Sequence, residues 1–521
     1  MCNDTSTNLQ TLFQPVTVPT TSQDLPFDYV DAPLLNARQV YKKGNIIQFI
    51  LPKDGLLIPD SVCLFFNLLF EGSDSTVRRY FINYNASTAF SRVTLTYGRT
   101  VILEDIQEYG QLSQLFSVYT SSPLKTLTPE GSLTGETLTG TVANVTDNPH
   151  IRAFAHNPAA QSATGFGQVP RRYMLKVNLG LFKQDKMVPL IYMNEELRIS
   201  FYLQDTPQKF SYLTQGSAGG MVNDFQLGRP TLRYKVYYPS LQLKTQIFNH
   251  MSNNLFTMQW TSFQHQRFQL SSSQTNQTFS VKAFRKRIKY ALAVIRSELD
   301  LDEPQADASS QYVALDPRVP IATSSLNTVD QARTTTLKEY QWVYNNRAIP
   351  SKPVQVIGTN SVYTYSGGAP ATPIYSVDTN NTSTAAEAYY YLQQTLQMDS
   401  IGGFVRDFPW VTADSWITQN VLPPVTSSLN QSTVIRRTAP CSFVIAGKFF
   451  DTVTLPDGSK EETTIDCTSV NSDLQLKLQF NNPSGPGSPY SSPYPQMYLD
   501  VWVAYNVVCQ INDLGEITLE Q

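Results

Sequence analysis

The sequence predicts an all-β protein made of two tandem antiparallel β-sandwiches, each carrying one short helix. Residues 197–203 and 474–480 both alternate apolar and polar side chains, as half-buried strands do. A second alternating strand follows each of them, over 232–237 and 499–507. Because the same two strands recur in the same order, we infer that one structural module occurs twice in the chain.

Two tight turns and two helices extend this repeat upstream. Tyr97-Gly98-Arg99 is expected to close one pair of strands, and Tyr344-Asn345-Asn346-Arg347 is expected to close a second pair. A helix is predicted after each turn, over 104–119 and 384–398, because apolar residues recur there every three or four positions. The order strand, turn, helix, strand is therefore used twice.

Further strand-like segments fill both halves and are separated by long polar loops. They are expected over 46–51, 62–70, 90–102, 173–181, 255–269, 279–295, 340–349 and 433–450. Residues 1–30, rich in Thr, Gln, Ser, Asn and Pro, are predicted to form an extended N-terminal arm. The first sandwich is assigned to 31–245 and the second to 246–521, with a linker over 240–254. A chain of 521 residues is long enough for two all-β domains of this size.

Charged residues are sparse along the chain. Asp, Glu, Lys and Arg make up 16% of the residues, against about 25% in typical soluble domains, and the net charge is −3. Generic binding to nucleic acid or to an anionic membrane is therefore disfavoured. Aromatic residues reach 12%, which favours half-buried sheet surfaces and large interfaces.

The N-terminus and the cysteines indicate an intracellular product. The first residues lack the basic and apolar regions of a secretory signal peptide. No apolar stretch is long enough to span a membrane, so no membrane span is expected. The five cysteines are scattered and show no C-x-x-C spacing, which predicts no disulfide framework.

No sequence motif for catalysis, cofactor binding or metal binding is present. The G-x-S-x-G and Walker patterns are absent, and the four histidines do not cluster with the cysteines. The glycine-rich run 216–220 has no helix after it, and the acidic cluster 298–303 lacks EF-hand spacing. Glu195 and Glu196 are adjacent, so on a strand they would point to opposite faces. We therefore assign no catalytic, cofactor-binding or metal-binding residue.

The densest charge feature is the basic run from Lys282 to Lys289, just before an apolar strand. In strand geometry Arg285, Arg287 and Lys289 would share one face. Two interpretations stay open for this run. One is a basic face that makes weak contact with DNA or with an acidic neighbour. The other is a solvated strand edge whose lysines resist unwanted pairing.

Several of these motifs occur in an order shared with a known family. In the first half they are the turn Tyr97-Gly98-Arg99, the helix 104–119 and the segment 179–190, which leads to the strand 197–203; in the second half they are the segment 344–353 and the terminal strand. In this order the chain resembles the double jelly-roll major capsid proteins of double-stranded DNA viruses. The Polinton-like viruses, adintoviruses and virophages look most similar, and the nucleocytoplasmic large DNA viruses are more distant.

The resemblance implies a fold and a role. Each half would be an eight-stranded antiparallel jelly roll, and the protein would be structural and not an enzyme. Three chains would form a homotrimer, a pseudo-hexagonal capsomer that tiles an icosahedral shell. The protein would then be located in the virion, after assembly inside the host cell. Its partners would be neighbouring capsomers, minor capsid, penton or cement proteins, and packaged DNA through weak contacts of Arg285, Arg287 and Lys289.

Two alternatives remain at the level of sequence. A capsid protein with a single jelly roll and long insertions could reach this length, although the repeated strand order argues against it. A β-sandwich carbohydrate-binding protein or glycosidase is the alternative from a different class. A glycosidase would require two carboxylates facing each other across a cleft.

Overall fold

The structure is a computed structural model of the 521-residue chain. It describes residues 27–72, 79–82, 86–120, 171–184, 186–207, 211–214, 222–253, 255–271, 274, 276–297, 337–356, 363–366, 374–377, 386–396, 444–454, 460–469, 472–480, 497–512 and 514–520. In this part of the chain no helix is both long enough and apolar enough to cross a bilayer.

Strands dominate the described residues, and each half of the chain contributes a similar series. The first series is β1 (Phe27–Asp31), β2 (Val40–Lys42), β3 (Ile46–Leu51), β4 (Leu56–Leu57), β5 (Cys63–Gly72), β6 (Arg79–Ile82), β7 (Phe90–Tyr97), β8 (Val101–Gln107), α1 (Tyr109–Thr120), β9 (Arg171–Lys176), β10 (Leu197–Leu203), β11 (Ser211–Thr214) and β12 (Val222–Tyr237). The helix α2 (Leu241–Asn253) follows. The second series is β13 (Phe256–Leu270), β14 (Asn276–Val281), β15 (Ile288–Ser297), β16 (Leu337–Tyr344), β17 (Arg347–Gln355), β18 (Tyr363–Ser366), β19 (Ile374–Val377), α3 (Ala386–Leu396), β20 (Ile445–Lys448), β21 (Asp451–Thr454), β22 (Lys460–Thr463), β23 (Leu474–Phe480), β24 (Met497–Ile511) and β25 (Ile517–Glu520).

The first sandwich consists of two antiparallel sheets. One has the strand order β1-β12-β5-β9, with β2 and β4 also paired to β12. The other has the order β3-β10-β7-β8. The short strands β6 and β11 pair with each other as a separate two-stranded sheet.

The second sandwich repeats this plan. One of its sheets has the order β13-β24-β15-β20, with β25 added beside β24, and the other has the order β14-β23-β16-β17. Strands β18 and β19 pair with each other, as do β21 and β22. No strand pairing joins the two sandwiches among the described residues.

The two sandwiches share one topology. When the eight main strands of each are counted in chain order, both have one sheet ordered 1-8-3-6 and the other ordered 2-7-4-5. Antiparallel double sheets with this connectivity are jelly rolls. The fold class expected from the sequence is therefore confirmed: the chain is all-β, with two tandem eight-stranded jelly rolls. The alternative with a single jelly roll is wrong.

The predicted alternation of apolar residues corresponds to the burial of one strand face. In β10 the residues Leu197, Ile199, Phe201 and Leu203 are buried between the sheets, and β23 buries every second residue in the same way. The bounds of both strands match the predicted ones. Apolar side chains from both sheets of each sandwich fill the space between them, which is the main source of stability in such folds.

Both predicted turns close hairpins. Gly98 has a φ of +60° between β7 and β8. Asn345 and Asn346 have φ values of +46° and +64° between β16 and β17. A two-residue hairpin loop with positive φ at both positions favours Asn and Gly, and this explains the Asn-Asn pair.

The helices differ in part from the prediction. The first begins at Tyr109 and not at residue 104, because Glu104 and Asp105 lie in β8, which is paired with β7. The segment predicted as a linker contains the helix α2. The third helix lies within the predicted range 384–398.

Two predicted strands also differ from the structure. The predicted strand 279–295 is two strands, β14 and β15, that belong to different sheets, so the chain crosses from one sheet to the other at 282–287. The predicted strand 173–181 ends at Lys176 and is followed by a short 3₁₀ turn at Gly180–Phe182. Most of the predicted strand 433–450 and the loop 298–336 lie outside the described residues.

Candidate assembly interface

The two sandwiches pack side to face. The side of the first sandwich, formed by β8, α1 and the 3₁₀ turn Gly180–Phe182, lies against the outward face of β13 and β24. Phe116 of α1 meets Phe263 of β13 edge to face, with 5.5 Å between the ring centroids. The indole nitrogen of Trp502 donates a hydrogen bond to the carbonyl oxygen of Gln107 at 3.4 Å. We call this contact the seam.

A buried ion network lies in the seam. The carboxylate of Asp500 is fully buried, and it accepts hydrogen bonds from Arg267 Nε at 2.7 Å and Arg267 Nη2 at 3.3 Å. His265 Nε2 lies 2.9 Å from the same carboxylate. Arg267 also donates to Glu108 of the first sandwich at 3.0 Å. A buried carboxylate is tolerated only with such partners, so the network ties the fold of β24 to the presence of its neighbour.

The charges of this network support each other. Burial disfavours the charged form of Arg267, but the attraction of Asp500 and Glu108 outweighs it and raises the pKa of the guanidinium. The guanidinium therefore stays charged at every pH at which the protein is folded. The sequence contains one sign of this network, an Asp in the otherwise apolar strand segment Leu499-Asp500-Val501-Trp502. Asp500 was not recognised as a functional residue from the sequence.

Glu104 is a second buried carboxylate at the seam. Its two oxygens accept hydrogen bonds from the backbone N–H groups of Gly180 and Leu181, at 2.9 and 2.8 Å. Burial raises the pKa of Glu104 to about 7, although these hydrogen bonds oppose the shift. The turn that Glu104 holds lies directly on β13: a Cβ at Gly180 would overlap the carbonyl oxygen of Thr261. Only glycine allows this close approach.

The C-terminal segment contacts the first sandwich at one end of the seam. The hydroxyl of Tyr97, in the first predicted turn, donates to the carbonyl oxygen of Gly515 at 2.7 Å. The same oxygen accepts the backbone N–H of Asn194 at 3.0 Å. Burial raises the pKa of Tyr97, which therefore stays a neutral donor. The turn sequence identified in the first half thus also holds the last residues of the second half.

The basic run has a different geometry from the predicted one. Lys282–Arg287 connects two sheets, and only Lys289 lies in β15, so the prediction that Arg285, Arg287 and Lys289 share a strand face is wrong. The Arg285 guanidinium lies 4.8 Å from the centre of the Tyr505 ring, and Lys289 lies 5.0 Å from that of Phe450.

The rest of the basic run pairs with the C-terminal strand. Lys286 and Arg287 both contact the carboxylate of Glu520 at 3.1 Å. Their attraction lowers the pKa of Glu520, an exposed carboxylate on β25. Two cations of the basic run thus have a partner within the chain, and residues 282–287 form a connection between strands and not a strand edge.

Of the other candidates from the sequence, only Glu195 and Glu196 lie in the part of the chain that the structure describes. Glu196 approaches Arg198 at 3.9 Å next to β10, and Glu195 lies beside the Gly98 turn. The glycine run 216–220 and the acidic cluster 298–303 lie outside the described residues. Over the described ranges, no group of His, Cys, Asp and Glu side chains is arranged to hold a metal ion.

The two sandwiches differ in which of their surfaces are covered. On the outward face of β24, Asp500, Trp502 and Ala504 are fully buried beneath the first sandwich. On the outward face of the matching strand β12, Arg233 is exposed and Lys235 is half-buried. The seam is therefore a contact between unlike sides of two like modules, and each module uses only one of its two sides.

Comparisons with known proteins found similar solved structures and no related sequence. No family model matches the sequence, and no curated protein matches it. Among solved structures, the quasi-atomic model of the PBCV-1 virus capsid is 12% identical, has a TM-score of 0.48, and is matched over 97% of this chain and 99% of that chain. The Sputnik virophage structure is 9% identical with a TM-score of 0.48, over 97% and 89%. The mavirus major capsid protein is 10% identical with a TM-score of 0.48, over 97% and 92%.

Proposed function

We propose that this chain is the major capsid subunit of a double-stranded DNA virus. Copies of it would self-associate as trimeric, pseudo-hexagonal capsomers that tile an icosahedral shell. The observation that carries the proposal is the seam, in which one jelly roll binds the next one through unlike surfaces. The resemblance noted in the sequence has the same implication.

The seam supports self-association because it is a heterologous contact. Such contacts between like modules leave one unused surface at each end, and repetition produces a ring if the rotation closes or a filament if it does not. Among the described residues, the surfaces that the seam does not use are the outward face of β1, β12 and β5 in the first sandwich and the side formed by β17 and α3 in the second. Three chains with two jelly rolls each would give six modules around a ring, which is a hexagonal outline.

We infer that the role is structural and not enzymatic. The buried carboxylates of the seam, Glu104 and Asp500, are bound by backbone N–H groups or by Arg267 and His265. Glu104 holds the turn that packs on β13, and Asp500 holds Arg267, which binds Glu108 of the first sandwich. In the described part of the chain the two buried carboxylates lie under protein and do not face each other across a cleft, as glycoside hydrolysis would require.

The proposal includes a location and partners. The protein would be located in the virion after assembly in the host cell, in contact with neighbouring capsomers and with minor capsid, penton or cement proteins. Weak contact with packaged DNA through Arg285, Arg287 and Lys289 is part of the same proposal. Such contact would be weak, because these side chains already have partners within the chain. Arg285 and Lys289 contact aromatic rings, and Arg287 pairs with Glu520.

We also propose that residues 31–245 and 246–521 are the two building blocks, preceded by an arm over 1–30. The main strands of the two jelly rolls lie on either side of the 245/246 division, but residues 27–30 of β1 fall within the range assigned to the arm. The division itself falls within α2, which connects the blocks. Limited proteolysis with mass analysis of the products tests it.

Measuring the mass of the assembly tests the main proposal. Size-exclusion chromatography with light scattering should give three times the chain mass of 58.4 kDa. Negative-stain images of that fraction should show a hexagonal outline. A stable single-chain mass at micromolar concentration and neutral pH would overturn the proposal.

A further inference from the structure

Two equivalent surfaces, one on each sandwich, have different exposure. Helix α1 follows the fifth main strand of the first sandwich, β8, and its residues Gln111, Leu112 and Ser113 are buried. Helix α3 follows the fifth main strand of the second sandwich, β17, but Glu387 and Tyr390 on it are exposed. The second sandwich covers the α1 side of the first sandwich, whereas none of the described residues outside the second sandwich covers its α3 side.

The open face of the first sandwich is aromatic and cationic. Tyr29 of β1 has 62% of its surface exposed. The guanidinium of Arg233 lies 5.9 Å from the centre of the Phe65 ring, and Lys235 Nζ lies 3.7 Å from that of Phe27. Rings and cations held in this way form a flat, rigid surface that loses little conformational entropy on binding.

The open side of the second sandwich is aromatic and acidic. Ala388 and Leu392 attach α3 to the core, and 55% of Tyr390 is exposed on the opposite side. Glu387 lies in the first turn of the helix, which contains no Lys or Arg. This side therefore complements the cationic face of the first sandwich in charge and matches it in aromatic character.

The seam within the chain provides a template for how these surfaces meet. In both sandwiches an ion pair joins directly opposed residues of the first and the last main strand: Arg267 with Asp500, and Asp31 with Arg233. In the second sandwich the arginine of that pair also binds Glu108, the residue immediately before α1. In the first sandwich Arg233 pairs with Asp31, and in the part of the chain that the structure describes no glutamate from a helix N-terminus joins this pair as Glu108 joins the other.

On the basis of the proposed capsomer, we propose that Glu387 of one copy binds Arg233 of the next copy, with Tyr390 packed against the face that contains Tyr29. The occupant of each open surface is thus a second copy of this chain. The contact between copies repeats the contact between the two halves of one copy, which is how a heterologous interface closes a ring. The interface residues are those that the fold places at the unused surfaces.

A charge swap tests the pairing. Glu387→Arg and Arg233→Glu should each raise the concentration at which trimers dissociate by about tenfold or more, because each places like charges opposite each other. The double variant, Glu387→Arg with Arg233→Glu, should restore most of the loss. Circular dichroism of each variant checks that the monomer is folded.

An aromatic pair of variants provides a matched control. Tyr390→Ser should weaken the trimer by a similar factor, since exposed aromatics that become buried carry much of the energy of an interface. Phe284→Ser removes another exposed aromatic, from the 282–287 connection of the same sandwich, and should leave trimer dissociation unchanged. Equal effects of the two substitutions would count against the assignment.

The possible outcomes separate this inference from the proposed function. A wild-type protein that never forms trimers overturns both. Trimers that form normally in Glu387→Arg, Arg233→Glu and Tyr390→Ser overturn the assigned contact and leave the capsomer proposal intact. Single variants that weaken the trimer without rescue in the double variant also overturn the direct pairing.

Discussion

At the scale of single residues, the seam depends on buried carboxylates whose surroundings decide their charge. Asp500 accepts hydrogen bonds from the Arg267 guanidinium and lies 2.9 Å from His265 Nε2. Glu104 accepts hydrogen bonds from two backbone N–H groups, and burial raises its pKa to about 7 from an ordinary value of 4.5.

The raised pKa of Glu104 predicts a pH dependence. Between pH 4.5 and 7 the folded chain holds a proton that the unfolded chain has released, so the free energy of unfolding falls as the pH rises through this window. The loss should amount to roughly 2–3 kcal/mol. Glu104→Gln resembles the protonated form of Glu104, so the free energy of unfolding of this variant should depend much less on pH. Denaturant unfolding at a series of pH values measures this.

The control for this prediction is Glu195→Gln, which neutralises an exposed carboxylate of the same sandwich. It should keep the wild-type profile. If Glu104→Gln also retains the full slope, burial of Glu104 does not control the pH response, and another group must be responsible.

At the scale of elements, each strand of a jelly roll contributes one face to the core. Leu476 in β23 is fully buried and lies opposite Phe279 of β14 and Trp342 of β16. Val503 in β24 is also fully buried. The core of the second sandwich therefore depends on the register of both strands, as the alternation in the sequence predicted.

A charge at either position should unfold the second sandwich. Leu476→Asp and Val503→Asp each bury a carboxylate with no partner, which costs about 4 kcal/mol or more. Lys477→Asp changes the next residue of the same strand, whose side chain is exposed, and should have little effect. Thermal unfolding followed by circular dichroism tests the three variants. Melting temperatures unchanged in both core variants would show that the register is wrong.

The errors of the sequence analysis are also at this scale. The predicted helix 104–119 began too early because Ile106 near the end of β8 and Tyr109 at the start of α1 happen to have helical spacing. Helix α2 was missed because most of its residues are polar, and two of its large apolar residues, Leu241 and Phe248, are exposed. Local periodicity does not reveal where a strand ends in a turn and a helix begins.

At the scale of the whole molecule, the seam makes the two sandwiches one unit. Aromatic packing of Phe116 on Phe263 and the hydrogen bonds of Tyr97, Arg267 and Trp502 all cross it. In the proposed capsomer this rigidity matters, because the angle between the two modules of a chain sets the closure of the ring. We therefore expect the sandwiches to unfold together.

Disruption of the seam should separate their unfolding. Glu108→Arg places a cation beside Arg267, where the wild-type carboxylate lies at 3.0 Å. Calorimetry of the wild-type protein should show one transition, and that of the variant should show two, since each core is unchanged. Glu195→Arg, an exposed site on the same sandwich, should keep a single transition. A single transition in Glu108→Arg at the wild-type temperature would mean that this ion pair does not couple the sandwiches.

Much of the architecture follows from local patterns in the chain. Strands β10 and β23 were predicted with their observed bounds, because two-residue alternation directly reflects a pleated strand with one buried face. The turns Tyr97-Gly98-Arg99 and Tyr344–Arg347 were predicted because Gly and Asn are the residues that best tolerate the positive φ of tight turns. The recurrence of these signals was enough to predict two all-β modules.

The contacts between modules required the folded structure. Arg267 and Asp500 are 233 residues apart in the chain, and no local pattern indicates that they pair across β13 and β24 or that Glu108 completes the network. The same holds for the basic run 282–289, whose partner Glu520 lies on the last strand. Side-chain pairing over such separations depends on which sheets the chain crosses and on which faces are covered. Those are properties of the packed molecule, because burial is set by all the surrounding elements together.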